Sequence, residues 1–325
     1  MPLKRIYSNL TLIALALGLS LPSSAQEFPS RPIRMVVPLA AGGATDVVAR
    51  LIADKLSEQI KQPVIVENRP GAQGMIGVEA VAKAAPDGYT IVFGSSTTMA
   101  AIASLYTKLS FDPIGDFAAV AKALDNAYNV LLVPSSLPVT SVAELIAYAQ
   151  ANPTTLNYGA GTASSRICIE MLKVMTGVSI AFVPYKTSTQ ALNDLMGNQV
   201  QLVCEPTGSG MAQVATGKLR AIAVTGPQRI DEAPGVAAVA ETPGLKDYGH
   251  WSWLAFFTRA GTPPAVIEKL SNELLKVLSN QEVANKIKKF GFDVVPSGPK
   301  ELAALQKEAV AKYAKIVKEA GITPE

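Results

Sequence analysis

The chain has 325 residues, with 29 lysines and arginines against 26 acidic residues and a formal net charge of +3. That length exceeds what one core usually supports, so two domains are expected. The near balance of charge, with no basic run interleaved with aromatics, excludes nucleic acid as an expected partner.

The first residues read as an export signal. Lys4 and Arg5 give a basic start, Leu10 to Leu21 is an apolar run too short for a bilayer, and Ser23-Ser24-Ala25 is a small-residue cleavage site. Cleavage near Ala25 leaves 300 of the 325 residues, beginning at Gln26, and removing Lys4 and Arg5 lowers the formal charge from +3 to +1. No cysteine follows the apolar run, which argues against a lipid anchor. No later stretch reaches the roughly 18 apolar residues of a membrane helix, so a soluble mature product is expected.

From there strand-like and helix-like segments alternate. Ile33 to Val37 is a short apolar run, broken at Pro38, that passes through Leu39-Ala40-Ala41-Gly42-Gly43 to a helix on which Val47, Val48, Leu51, Ile52, Leu56 and Ile60 recur at helical spacing. Such a strand, small-residue turn and helix start suit an anion, because glycines let the backbone approach and first-turn amides point outward. Val64 to Asn68 predicts a strand and Ile76 to Ala84 a helix. Thr90 to Phe93 predicts a strand that ends in the hydroxyl-rich Gly94-Ser95-Ser96-Thr97-Thr98. Alternating βα units predict a mostly parallel sheet covered by helices.

Around residues 117 to 125 the chain is expected to cross into a second series. Its strands are predicted at Asn129 to Val133, Leu156 to Gly159, Ile180 to Pro184, Val200 to Cys204 and Ala221 to Thr225. Its helices are predicted at Val142 to Ala151, Arg166 to Met175, Thr189 to Met196 and near Met211. After a Pro- and Gly-rich loop, the aromatic strand Trp251 to Phe257 returns the chain to the first series, and a helical tail follows. The expected division is a signal peptide at 1–25, a discontinuous first domain at 26–125 and 251–325, and a second domain at 126–250. Cys168 and Cys204 lie 36 positions apart, and spacing leaves a bridge and two buried thiols equally open.

Several segments in order carry a family resemblance. They are Phe28-Pro29-Ser30-Arg31-Pro32-Ile33, then Pro38 to Asp46, Val66-Glu67-Asn68-Arg69-Pro70-Gly71-Ala72 and Ala85-Pro86-Asp87-Gly88-Tyr89-Thr90. Further on come Leu156-Asn157-Tyr158-Gly159, Val183-Pro184-Tyr185-Lys186, Gly217-Lys218-Leu219-Arg220-Ala221 and Ala260-Gly261-Thr262-Pro263. The mature chain resembles the periplasmic substrate-binding proteins of tripartite tricarboxylate transporters, the Bug receptors. The resemblance implies an α/β type II periplasmic binding protein fold, two βα domains joined by two crossover strands and closing on a small organic carboxylate. It implies ligand contacts at Ala41, Gly42, Gly43 and Asp46; at Ser95, Ser96 and Thr97; and at Thr162, Ala163, Ser164 and Ser165. Where the family often has His-Leu, Gly and Phe-Asp, this chain has Arg166-Ile167, Thr187 and Cys204-Glu205. Arg166, Thr187 and Glu205 are therefore candidates for choosing the ligand.

Hydroxyls and amides hold a carboxylate by charge-assisted hydrogen bonds without a full counter-charge. Arg166 either grips a second carboxylate or pairs with Glu170, four residues on, or with Glu205. Glu205 is read as repelling an anion, accepting from its hydroxyl or amine, or pairing with Arg166. His250 is the only histidine and is read as a packed residue. No Gly-x-Ser-x-Gly elbow, HExxH or CxxC is present, so no catalytic residue, metal site or cofactor is expected. The expected function is a non-catalytic periplasmic receptor, probing a di- or tricarboxylate, an acidic amino acid or an aromatic carboxylate. It acts as a monomer that hands its ligand to membrane permease subunits. The alternative is a sensor that docks on a membrane kinase.

Overall fold

The computed structural model describes residues 27–319 and 321–324, with 126 and 127 as backbone only. The expected signal peptide at 1–25 and its cleavage site lie outside the described residues. Residues 27–30 belong to a separate N-terminal unit and hold no helix or strand. The described residues from Arg31 onward form one compact unit.

That unit starts with β1 (Ile33–Val37), α1 (Ala44–Ile60), β2 (Val64–Asn68), α2 (Met75–Ala82) and β3 (Thr90–Ser95). A π-helical turn at Thr97–Ala101 runs into α3 (Ile102–Leu105). Helix α1 follows the predicted spacing: Val48, Ile52 and Leu56 form one buried row and Ala49 and Ala53 the next. The chain then enters β4 (Phe117–Pro134), which is 18 residues long. After it come α4 (Val142–Ala151), β5 (Asn157–Ala160), α5 (Ala163–Thr176), β6 (Ala181–Pro184), α6 (Ser188–Met196), β7 (Leu202–Pro206), α7 (Thr207–Val214) and β8 (Leu219–Val224). The return strand is β9 (Trp251–Arg259), followed by α8 (Pro264–Leu278), α9 (Gln281–Lys288), β10 (Asp293–Ser297) and α10 (Pro299–Glu319).

The strands form two half-sheets that share β4. One runs β2-β1-β3-β9-β4, with β10 also on β4; the other runs from β4 to β7, β5 and β6, with β8 also on β4. Pairs β1–β2, β1–β3, β5–β6 and β5–β7 are parallel. Every pairing made by β4 or β9 is antiparallel. The sheet is therefore mixed rather than mostly parallel as predicted, because the strands that carry the chain between the halves run against the βα units. Strand β4 is continuous where the sequence shows a crossing followed by a new strand. Three register shifts against β9, the last between Leu124 and Ala127, let it bend from one half to the other.

Each half has its own core. Val36, Val92, Met99, Phe257 and Leu302 belong to the first, and Leu131, Tyr158, Leu172, Leu202 and Ile222 to the second. The open question of the cysteines has a definite answer: Cys168 on α5 and Cys204 on β7 are joined by a disulfide, and both are fully buried.

Candidate functional site

The carboxyl ends of β1, β2 and β3 converge. Gly77 on α2 lets the loops meet, since a Cβ there would lie 2.9 Å from both the Arg69 carbonyl oxygen and the Pro38 Cα. After Pro38 the chain turns through Gly42, whose φ is +86°, and enters α1 behind Gly43. Ala41, Gly42 and Gly43 are exposed. Asp46 is buried, and its side chain is committed to the turn. It accepts from the Gly42 amide at 2.8 Å, from Asn68 Nδ2 at 2.9 Å and from Arg50 Nε at 3.2 Å. Burial alone would raise its pKa, but the bonds from Arg50, Gly42 and Asn68 outweigh burial and hold it below the usual range. Asp46 thus shapes the turn by holding the Gly42 amide, while Ala41, Gly42 and Gly43 stay exposed. Asp46→Ala should destabilise the protein by about 1–3 kcal/mol, the cost of orphaned buried donors. Asp46→Asn should retain part of that, and thermal melts of both variants check it.

At the end of β3, Ser95 and Thr98 bond each other across the turn: the Ser95 amide donates to Thr98 Oγ1 at 3.0 Å, and the Thr98 amide to Ser95 Oγ at 3.3 Å. Ser96 points inward, with its Oγ 2.8 Å from Ser252 Oγ and 3.2 Å from the Tyr313 hydroxyl. Thr97 is buried at the start of the π-helical turn. Of this trio, only Ser95 is partly open to solvent.

The second set of loops lies at the ends of β5, β6 and β7. Helix α5 begins at Ala163, ahead of the predicted Arg166, because Thr162 caps it by accepting from the Ser165 amide at 3.2 Å. Ser164 accepts from Asn129 Nδ2 at 3.3 Å and lies 2.9 Å from His250 Nε2. Ser165 Oγ donates to the Cys204 carbonyl at 2.5 Å. Gly161 packs directly on the Thr187–Ser188 backbone, where no Cβ has room. Thr187 is exposed and caps α6 through the Gln190 amide. The Arg166 guanidinium lies 4.6 Å over the Phe182 ring, while Glu170 accepts from Tyr158 and Lys173. Glu205 is 5% exposed and accepts from Ser209 Oγ at 2.9 Å through Oε1.

The two sets meet through α5. Ala163 and Ile167 are buried in the same apolar cluster as Met99, Ala100 and Trp253 of the first half, which seats the start of α5 on the 97–101 turn. The structure thereby packs the turn that holds Thr97 against the helix that starts at Ala163. Thr187, at the start of α6 against Gly161, and Glu205, near the end of β7, adjoin the second set of loops, and two surface depressions lie along α8 and beside Tyr185. Asn129, His250, Ser252 and Tyr313 were not among the sequence candidates for this site. Only His250 carried a signal, as the sole histidine.

The Ser164–His250 pair raises the question of hydrolysis. Burial pulls the His250 pKa down to about 4, and among the described residues no carboxylate hydrogen-bonds to it. A base that weak, without an orienting acid, is poorly matched to activating a serine at neutral pH. No group of three His, Cys, Asp or Glu that could hold a metal ion occurs among the described residues.

The model of the tripartite tricarboxylate transporter family receptor, TctC, matches residues 48–322. The chain belongs to this receptor family. It is 31% identical to Protein BugT of Bordetella pertussis over 324 residues, 99% of each chain. Among solved structures it is similar to Rpa4515 of R. palustris with adipate, at 34% identity and a TM-score of 0.85, covering 92% of this chain and 100% of that one. It is also similar to MatC of Rhodopseudomonas palustris with bound malate, at 29% identity and a TM-score of 0.80, covering 89% and 100%. The TctC receptor therefore has the type II periplasmic binding protein fold expected of it. The family and these neighbours are solute-binding proteins rather than enzymes.

Proposed function

We propose that this TctC receptor is exported, is cleaved near Ala25, and captures a small dicarboxylate without chemical change. The captured acid then passes to membrane permease subunits. In this reading the halves act as domains, 26–125 with 251–325 against 126–250, hinged on β4 and β9. The observation that supports it is the seating of the start of α5, next to the Thr162–Ser165 loop, on the 97–101 turn of the first half, with the exposed Ala41–Gly43 turn at the end of β1. Open α/β sheets bind ligands outside the carboxyl ends of their strands, and helix starts favour anions. Relatives solved with adipate and with malate support acids with two carboxylates as the first ligands to try.

Calorimetry of the mature protein against di- and tricarboxylates, acidic amino acids and aromatic acids tests this reading. One-to-one binding of at least one dicarboxylate is expected, and deletion of the gene should then abolish uptake of that acid. Binding to none of the panel rejects the reading.

A further inference from the structure

Among the described residues, the buried side-chain oxygens without a hydrogen-bond partner belong to Gln73, Glu205 and Ser271. Only Glu205 is ionisable, and it lies at the carboxyl end of β7 among the strand ends of the second half. Its Oε1 accepts from Ser209, while Oε2 is buried with no partner. An ionised carboxylate in that position is costly. Either it carries a proton or a donor reaches it.

Resting on the function proposed above, we propose that Glu205 makes ligand capture proton-linked. As the dicarboxylate binds, one proton from solvent is held on the Glu205 carboxyl, and the protonated Oε2 donates toward the incoming anion. The complex then tightens as pH falls.

The surroundings support this assignment. Burial pushes the Glu205 pKa up to about 7, only partly opposed by the Ser209 and Ser188 hydroxyls. From α6 it faces Ser188, from α7 Ser209 and Gly210, and across the strand pair Val130. Neither Arg166 nor Lys186, the cations of the adjoining loops, contributes to that shift. A bound anion nearby raises the pKa of a neighbouring acid further. The helix starts of α5, α6 and α7 meanwhile favour negative charge on the ligand. His250 is the only histidine, and with its pKa near 4 it stays neutral between pH 6 and 8.

The test titrates the mature protein with the panel acids, adipate and malate first, at pH 7 in two buffers of different ionisation heat. About half a proton should be taken up per ligand bound. Affinity should fall about tenfold from pH 6 to pH 8. Glu205→Gln, which fixes the neutral form, should bind with a flat pH profile and at pH 8 as tightly as the wild type at pH 6. Binding without proton uptake overturns the inference and leaves the proposed function standing. Equal weakening by Glu205→Gln at every pH also overturns it, because that marks an ionised acceptor for a ligand hydroxyl or amine. Absence of binding across the panel at every pH rejects the function and the linkage together. If the glutamine variant does not fold, the two-buffer measurement on the wild type decides alone.

Discussion

Replacing both Cys168 and Cys204 by alanine should lower the stability of this receptor by about 3–4 kcal/mol. The bridge closes a loop of 36 positions, and the chain-entropy relation for that length gives a value in this range. Its placement adds to the effect. It ties α5 to β7, so the loop at Thr162 and the strand end at Glu205 are held by one covalent link through the second core. Urea unfolding of the double variant beside the wild type measures the loss. Reductant should shift the wild-type midpoint toward that of the variant and leave the variant unchanged. Two titratable thiols in the native, unreduced protein contradict the bridge.

Raising the pH from 5 to 8 should cost the ligand-free wild type about 2.5 kcal/mol relative to Glu205→Gln. Burial lifts the folded pKa of Glu205 from its usual 4.5 to about 7. A carboxyl raised in this way contributes stability that is complete below the unfolded pKa and is lost as pH climbs through the folded one. The shift, at about 1.4 kcal/mol per pH unit, sets the size. His250 drifts the other way: its depressed pKa removes stability as pH falls from about 6.5 toward 4. Subtracting the glutamine variant cancels the histidine and isolates Glu205. Urea midpoints of both proteins across this range check the difference, and parallel curves contradict it.

The order of elements was legible because apolar spacing is a local signal. Val48, Ile52 and Leu56 on α1, and the hydroxyl-rich turn after Phe93, read the same in sequence and structure. The mixed sheet was not legible, since strand direction at β4 and β9 depends on partners more than a hundred residues apart. The helix start at Ala163 was masked by small residues that suit a loop equally well, and the Thr162 cap settles it. The side-chain partners were hidden for another reason. Asn129, His250 and Tyr313 reach Ser164 and Ser96 from distant elements, and no spacing encodes that. Asp46 shows the reverse case, a residue in a legible motif whose carboxylate is occupied by Gly42, Arg50 and Asn68.

The strand order has a consequence for timing. β3 and β4 are neighbours in the chain but not in the sheet, because β9 lies between them and pairs with both. The first half-sheet therefore stays unfinished until residues 251–259 are available, after the whole second half has been made. Pairings that span so much chain are slow to form. A polypeptide that leaves the ribosome from its N-terminus thus lacks the strand that closes its first half for most of its synthesis. Under the export proposed above, late closure by β9 keeps the chain threadable until nearly all of it exists.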